Sequence, residues 1–356
     1  MSKVLMKGNE AIAEAAIRAG CLNYFAYPIT PQSEVAEYLA HRLPEEGGVF
    51  LQGESEVAVS YMIFGASACG ARVMTTSSSP GISLMSEGIS FITSAECPTV
   101  FVNIMRGGPG LGGILPSQAD YFQATKGGGH GDYRLLVMAP ASVQEAVEMV
   151  MQAFSLADKY RNPVMILGDG LIGQMMEPVE FPEHLKIQPT NKDDWATNGM
   201  GTRKSNTRNL VKTLYLDPVE LNAHNLKLKA KYEQMAHEEV RFEAYNFDCE
   251  YQLLIVSYGT MSRVCRTAVD MLKEEGLEIA MLRPKHLFPF PSGPIHEAAA
   301  KDSCRAVLSV EMSMGQMVED VERSVAGTSP VHWYGKCGGD VPTPEEVIEA
   351  VKKLVD

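Results

Sequence analysis

Through its first half the chain alternates short apolar runs with longer stretches in which apolar residues recur every three or four positions. Gly8-Asn9-Glu10-Ala11 leads into Ile12, Ala15, Ala16 and Ala19, which share one helical face, and Gly20 ends that helix as a C′ glycine. Residues 21–26 read as a strand. Tyr27-Pro28-Ile29-Thr30-Pro31 follows as a stiff, proline-braced loop. Pro31 suits the first turn of the next helix, where a missing N–H costs nothing, and that helix should run to about Leu43. A strand over 49–52 precedes a helix over 54–68. A strand over 71–76 exits through Ser77-Ser78-Ser79-Pro80-Gly81 into a helix over 83–94. Residues 99–105 are almost unbroken in their apolarity, as a strand buried on both faces requires. A glycine-dense stretch over 107–131 comes next, then a strand over 134–139. Ser142-Val143-Gln144-Glu145 is a capping box that opens a long helix to Tyr160, followed by a buried strand over 163–167. This alternation predicts an α/β fold with a mainly parallel sheet and helices on both faces.

From about residue 177 to 246 apolar strands vanish and Asn, Lys and Thr dominate. Asp217-Pro218 has the form of an N-cap and N1 pair for a helix running to about Phe242. The segment reads as a connecting arm, with domains over 1–180 and 249–356 on either side. In the second domain, strands are expected at 253–257, 278–282, 306–310 and 332–334, with a last helix over 344–355.

Composition narrows the class. The chain is 45% hydrophobic and 21% charged, which fits a globular protein and excludes disorder as a description of the whole. No apolar run reaches the ~20 residues a membrane helix needs, and residues 1–7 lack the basic-then-apolar layout of a signal peptide. The net charge of −13 repels phosphate polymers, so no nucleic-acid partner is expected. Seven cysteines lie scattered with no C-x-x-C. That reads as reduced cytoplasmic thiols, and it argues against an iron–sulfur cluster held by this chain alone.

Ligands of open parallel sheets collect at the carboxyl ends of strands. Attention therefore falls on the loops at 27–30, 53–56, 77–81, 106–113 and 168–170. Glu54 and Glu56 stand at a helix start, where acidic residues are favoured by the helix dipole alone. The functional alternative is a buried carboxyl that shares a proton with a ligand nitrogen. Glu56 is the better candidate because Val57 and Ala58 beside it suggest buried surroundings. Arg106 ends a buried strand and precedes Gly107-Gly108-Pro109-Gly110. It is either a surface side chain stretched to water or a fork for a carboxylate or phosphate. His130, in a glycine-rich loop, reads as structural or exposed. Gly168-Asp169-Gly170, with Asn198 further on, has the outline of a magnesium–diphosphate motif. The segment between them is polar and proline-broken, with no second strand, so the match reads as coincidence.

Gly8-Asn9-Glu10-Ala11, the Tyr27–Pro31 string, Glu54-Ser55-Glu56, Ser77–Gly81 and Arg106-Gly107-Gly108-Pro109 stand in one order along the chain. Ser257-Tyr258-Gly259-Thr260, Leu282-Arg283-Pro284, residues 310–317 and Pro342-Thr343-Pro344-Glu345-Glu346 follow them. Together these motifs resemble the alpha subunit of 2-oxoacid:ferredoxin oxidoreductases over essentially the whole chain. Residues 6–11 and 127–132 are most similar to the 2-oxoisovalerate branch. The resemblance implies a thiamine-diphosphate pyrimidine-type parallel-sheet domain and a smaller transketolase C-terminal-like α/β domain that helps assemble the complex. It implies thiamine diphosphate shared with a beta subunit, which would carry Mg2+ and a [4Fe-4S] cluster. Further gamma- and delta-type subunits, ferredoxin as acceptor, coenzyme A as co-substrate and anaerobic metabolism are implied with it.

By the same resemblance, Glu56 matches the glutamate that bonds the pyrimidine ring nitrogen. Thr30 matches the substrate-contacting hydroxyl and Arg106 the arginine that holds the substrate carboxylate, while Tyr27, Pro28 and Ile29 shape the pocket wall. The Ser77–Gly81 loop departs from the commoner Thr-Ser-Gly-Pro-Gly form, so its side chains carry no assigned role. Three other readings stay open. A 2-oxoglutarate enzyme would need another cation, for which Arg72, Lys126 and Arg134 are available. The others are a non-catalytic assembly subunit and a self-contained thiamine enzyme with its own diphosphate site.

Overall fold

The computed structural model describes residues 3–185, 190–199 and 208–355. In its first part β1 (Val4–Lys7), α1 (Gly8–Arg18), β2 (Asn23–Ala26), α2 (Ser33–Glu45), β3 (Val49–Gln52), α3 (Glu56–Ala68), β4 (Val73–Ser77), α4 (Ser79–Ser94) and β5 (Val100–Met105) follow one another with short connections. After the glycine-dense stretch come α5 (Tyr121–Lys126), β6 (Leu136–Met138), α6 (Val143–Tyr160), β7 (Val164–Asp169), α7 (Gly170–Gln174) and β8 (Met176–Val179). Of the expected arm, residues 186–189 and 200–207 lie outside the described residues; its helix is α8 (Pro218–Glu238), N-capped by Asp217. The remainder is β9 (Phe242–Tyr245), β10 (Leu253–Val256), α9 (Gly259–Glu274), β11 (Ile279–Pro284), β12 (His286–Phe288), α10 (Ser292–Ala299), β13 (Ala306–Glu311), α11 (Met317–Val325), β14 (Val331–Gly335) and α12 (Pro344–Val355).

Seven strands form the first sheet in the order β12-β6-β7-β5-β4-β2-β3, and five form the second in the order β14-β13-β10-β11-β9. Both are parallel except at one edge each, where β12 and β9 run antiparallel to their neighbours. The apolar run of β5 is fully buried, as its composition demands. Several expectations need correction. β9 emerges from the expected arm and completes the second sheet, whereas β12, from the C-terminal part, extends the first. A short hairpin-like pair, β1 with β8, was not foreseen. Pro31 does not open α2: the helix starts at Ser33 with Gln32 at the N-cap, and the Pro31 carbonyl accepts from Asn9 Nδ2 (2.9 Å) and Gln174 Nε2 (3.0 Å). Ser79-Pro80-Gly81 is not loop but the first turn of α4, a place where proline and its missing N–H are tolerated.

Several contacts among the described residues stitch the two sheets together. Tyr121 and Tyr258 meet in a common apolar core, ring centroids 5.9 Å apart. Gln118, fully buried, exchanges both backbone and side-chain bonds with the second sheet. Its N–H donates to Met312 O (2.8 Å), its Oε1 accepts from Met312 N (2.9 Å) and its Nε2 donates to Tyr258 O (2.9 Å). Arg283 on β11 forks onto Glu145 at 2.7 and 2.6 Å and also bonds Glu243. Glu145 thus completes only half of its capping box: Ser142 Oγ accepts from Glu145 N, but the carboxylate turns to Arg283 and to Ala141 N. Burial pushes the Glu145 carboxyl up, yet the Arg283 pairing outweighs it and holds the group down at about 2.

Gln118→Leu should leave the Met312 N–H and the Tyr258 C=O unpaired inside the protein. At roughly 1–3 kcal/mol for each group, the urea midpoint of the variant should fall clearly below that of the parent. His286 supplies a pH signature. It is buried, with Nδ1 donating to the Glu239 carbonyl, and burial lowers its pKa to about 4. Below its ordinary value of 6.5 the unfolded chain takes up a proton that the fold refuses. This contribution is complete above that value and is lost as the pH falls toward 4. Denaturation at about pH 4.5 and about pH 7 should show His286→Gln losing less stability on acidification, by at most about 3 kcal/mol.

Candidate active site

The first sheet changes winding direction between β2 and β4, because β3 lies outside β2 and β4 lies on its other side. Such a switch point opens a crevice at the carboxyl ends of the strands. Into it run the 27–31 loop after β2, the start of α3 after β3, the start of α4 after β4, and Arg106 after β5.

The two candidate glutamates separate cleanly. Ser55 is the N-cap of α3, its Oγ accepting from Ala58 N at 3.2 Å, so Glu54 stays outside the helix and exposed. Glu56 is the first helical residue and is 6% exposed. The reason given from sequence was wrong in detail, since Val57 is 39% exposed. What encloses Glu56 is α4: a Cβ placed on Gly81 would lie 2.9 Å from Glu56 Oε1 and 2.1 Å from Ser77 Oγ. Glycine at 81 is therefore what lets the carboxyl and the Ser77 hydroxyl share this space. The carboxylate has no hydrogen-bond partner among the described residues.

Other groups at the crevice are also unpaired. Ser77 Oγ, Ser78 Oγ, Gln32 Nε2 and Arg106 Nε are buried without a partner. A buried polar group left unbonded costs free energy, so a cluster of them calls for a ligand or another chain. Arg106 is 7% exposed, which sets aside the reading of a side chain stretched to water. Its Nη1 donates to Thr30 O (2.9 Å) and its Nη2 to Leu111 O (3.1 Å). A guanidinium has five N–H groups, so Nε–H and the second hydrogen of each terminal nitrogen remain. Arg106 thereby joins Thr30 to the 106–116 segment. Thr30 is exposed, Tyr27 and Ile29 are half-buried and Pro28 is exposed, forming the outer wall. Gln32 is held by Thr76, which also bonds Tyr24 (2.6 Å).

Sequence reasoning missed Ser79, Asn103 and Asp120, which are joined by hydrogen bonds beneath Arg106. One signal was present: Asn103 is a lone amide within the apolar run of β5. Elsewhere the polar candidates prove to be structural. Asp169 Oδ1 accepts from Leu171 N and Ile172 N as the N-cap of α7, whereas Asn198 donates to Asp193. Among the described residues no group of three His, Cys, Asp or Glu could hold a metal ion. His130 is exposed, and its carbonyl accepts from Ser90. Glu311, fully buried, accepts from the N–H groups of Gln316, Met317 and Val318, capping α11.

A parallel-sheet domain with a buried carboxylate at its switch point, joined to a second α/β domain, is the layout of a cofactor-binding subunit. The family model for pyruvate flavodoxin/ferredoxin oxidoreductase, thiamine diphosphate-binding, matches residues 14–243, and that for pyruvate:ferredoxin oxidoreductase core domain II matches residues 252–347. The chain belongs to the 2-oxoacid:ferredoxin oxidoreductase family, as a subunit of an oxidoreductase complex. It is 46% identical to the ketoisovalerate oxidoreductase subunit VorB of Methanothermobacter thermautotrophicus, over 99% of this chain and 98% of that one. It is 35% identical to the 2-oxoglutarate synthase subunit KorA of the same organism, over 98% of each. A solved 2-oxoglutarate:ferredoxin oxidoreductase from Magnetococcus marinus superposes with a TM-score of 0.87 at 28% identity, covering 100% of this chain and 66% of that one. A split-gene transketolase shares the fold at a TM-score of 0.60 and 16% identity.

Proposed function

We propose that this chain is the alpha subunit of a thiamine diphosphate-dependent enzyme. The enzyme converts 2-oxoisovalerate and coenzyme A to the acyl-CoA and carbon dioxide, passing two electrons singly to ferredoxin. The observation that carries the reading is the Glu56 carboxylate, buried and without a partner at the switch-point crevice. It fits the aminopyrimidine end of the cofactor: a carboxyl there can hold a proton shared with a ring nitrogen. The bound cofactor supplies the nucleophile and electron sink for decarboxylation. Around it, this chain's Arg106 offers its free N–H groups to the substrate carboxylate, while Thr30 presents its hydroxyl at the mouth. Tyr27, Pro28 and Ile29 form the wall, and α4 closes the crevice from water behind Glu56.

Two features support a partner chain over the site. Among the described residues no cluster of three His, Cys, Asp or Glu could hold the metal that a diphosphate tail requires. Helix α3 is apolar on all sides, yet Val57 and Tyr61 on it and Leu84 on α4 stay exposed. A helix of that kind belongs in an interior. In this reading a beta-type subunit covers that face and brings Mg2+, the diphosphate contacts and the [4Fe-4S] cluster, with gamma- and delta-type subunits beyond. By likeness to its family the assembly is placed in the cytoplasm. No described helix is long and apolar enough to cross a membrane. In this reading the division at about 180 and 249 separates a catalytic part from an assembly part, although β12 crosses back to the first sheet and β9 belongs to the second.

The preference for a branched-chain acid over 2-oxoglutarate rests on charge as well as on likeness. Arg72 pairs with Asp158 and with Ala19 O at the amino end of β4, away from the crevice. Lys126 pairs with Asp320, and Arg134 donates to the Lys126 and Tyr133 carbonyls. None of these three is placed to take a second substrate carboxylate. An assembly subunit without activity has no use for an enclosed, unpaired carboxylate.

In the assembled enzyme, Glu56→Gln should lose most turnover in a viologen-linked assay while the subunits still co-purify; near-normal turnover would remove the proton-sharing role. Arg106→Ala should raise KM alike for several 2-oxo acids, by the ~1.5–3 kcal/mol of a charge-assisted contact. An unchanged KM for every acid would detach Arg106 from the carboxylate.

A further inference from the structure

We propose that Asp120 is a positioning residue for the 2-oxo acid site, one that latches the Arg106 hairpin to the first turn of α4. The inference rests on the reading of Arg106 as the carboxylate fork. Residues 106–116 form a hairpin closed by a bridge between Arg106 and Pro116 and by Gly107 N donating to Leu115 O (3.0 Å). Its tip is exposed, with Leu111 at 83% and Ile114 at 60%, so its position is set at its base. There Arg106 N donates to Ser79 Oγ (3.0 Å), and Ser79 Oγ donates to Asp120 Oδ2 (2.6 Å). Asn103 bridges the same pair: its Oδ1 accepts from Ser79 N (3.1 Å) and its Nδ2 donates to Asp120 Oδ2 (2.9 Å). One carboxylate oxygen thus joins the start of α4 and the middle of β5 to the turn that follows the hairpin and precedes α5.

The arrangement departs from the local rule. Asp120 occupies the N-cap position of α5, where an aspartate ordinarily accepts from the helix's own N–H groups. Here it makes no capping bond. Gln316, from the second domain, does that work, its Oε1 accepting from Phe122 N at 2.9 Å. Asp120 is thereby released to hold Ser79 and Asn103. Burial also keeps its carboxyl above the usual carboxylate range, against those two hydrogen bonds. Ser79 lies two residues from both Ser77 and Gly81, which flank Glu56, so the latch sets the spacing between the fork and the proton-sharing carboxyl.

The test uses the assembled enzyme and steady-state kinetics with several 2-oxo acids. Asp120→Ala should raise KM about tenfold for all of them with a smaller change in kcat, as a displaced binding group does. Asp120→Asn, which keeps an oxygen acceptor, should return KM to within about threefold of the parent. Ser79→Ala should reproduce the Asp120→Ala effect, and the double variant should add little; this pair also serves if Asp120→Ala does not assemble. A lowered melting temperature with unchanged KM, or equal defects in the Ala and Asn variants, would overturn the proposal. If Arg106→Ala raises KM and the latch variants do not, only the latch fails. If Arg106→Ala changes nothing, the carboxylate reading fails first.

Discussion

A carboxylate withdrawn from water and offered no protein hydrogen bond is the constraint around which this crevice is built. Glu56 stays in place because α3 begins one residue after a serine cap and because Gly81 leaves room across the gap. The same absence of a side chain admits Ser77 Oγ, itself unpaired. Free energy spent on leaving such groups unbonded is recovered only when something binds there. That is why the switch point, and not any of the charged clusters elsewhere, carries the functional reading.

The second domain lies against the 106–116 hairpin, with Gly338 beside Gly107 and Gly339 beside Leu115. In the fold, Glu311 caps α11, while Tyr258 and Met312 receive Gln118 and Gln316 caps α5. Arg283, in the Leu-Arg-Pro motif, grips Glu145 at the start of α6. These contacts fix the return path of the segment that begins at Arg106. The domain interface is therefore also the outer support of the Arg106 hairpin, which under the proposed function couples assembly to the substrate site through backbone placement.

Much of the fold was legible because its signals are local. The apolar run of β5, the Asp217-Pro218 start of α8 and the last helix, Pro344–Val355, were read almost as they stand. The errors have common physical causes. Ser79-Pro80-Gly81 has loop composition, but a first helical turn tolerates all three residues. β9 and β12 are too short and mixed to announce themselves, and each exists because a sheet edge supplies its partner, β11 for β9 and the distant β6 for β12. The capping box at Ser142 was half right, since a distant arginine outbid the local N–H for Glu145.

What the order of residues carried alone was the alternation of strands and helices, the strand ends where chemistry would gather, and Glu56 and Arg106 as candidates there; Thr30 joined them only through the family resemblance. Those depend on periodicity and on side-chain chemistry, which a chain carries with it. Only the folded arrangement decided that Glu56 and not Glu54 is enclosed, that Arg106 is buried and bound to the Thr30 carbonyl, and that Asp120 serves a neighbour instead of its own helix. The first turns on how closely α4 packs at Gly81, and the others on which groups from remote parts of the chain compete for a hydrogen bond; both exist only once packing has brought them together.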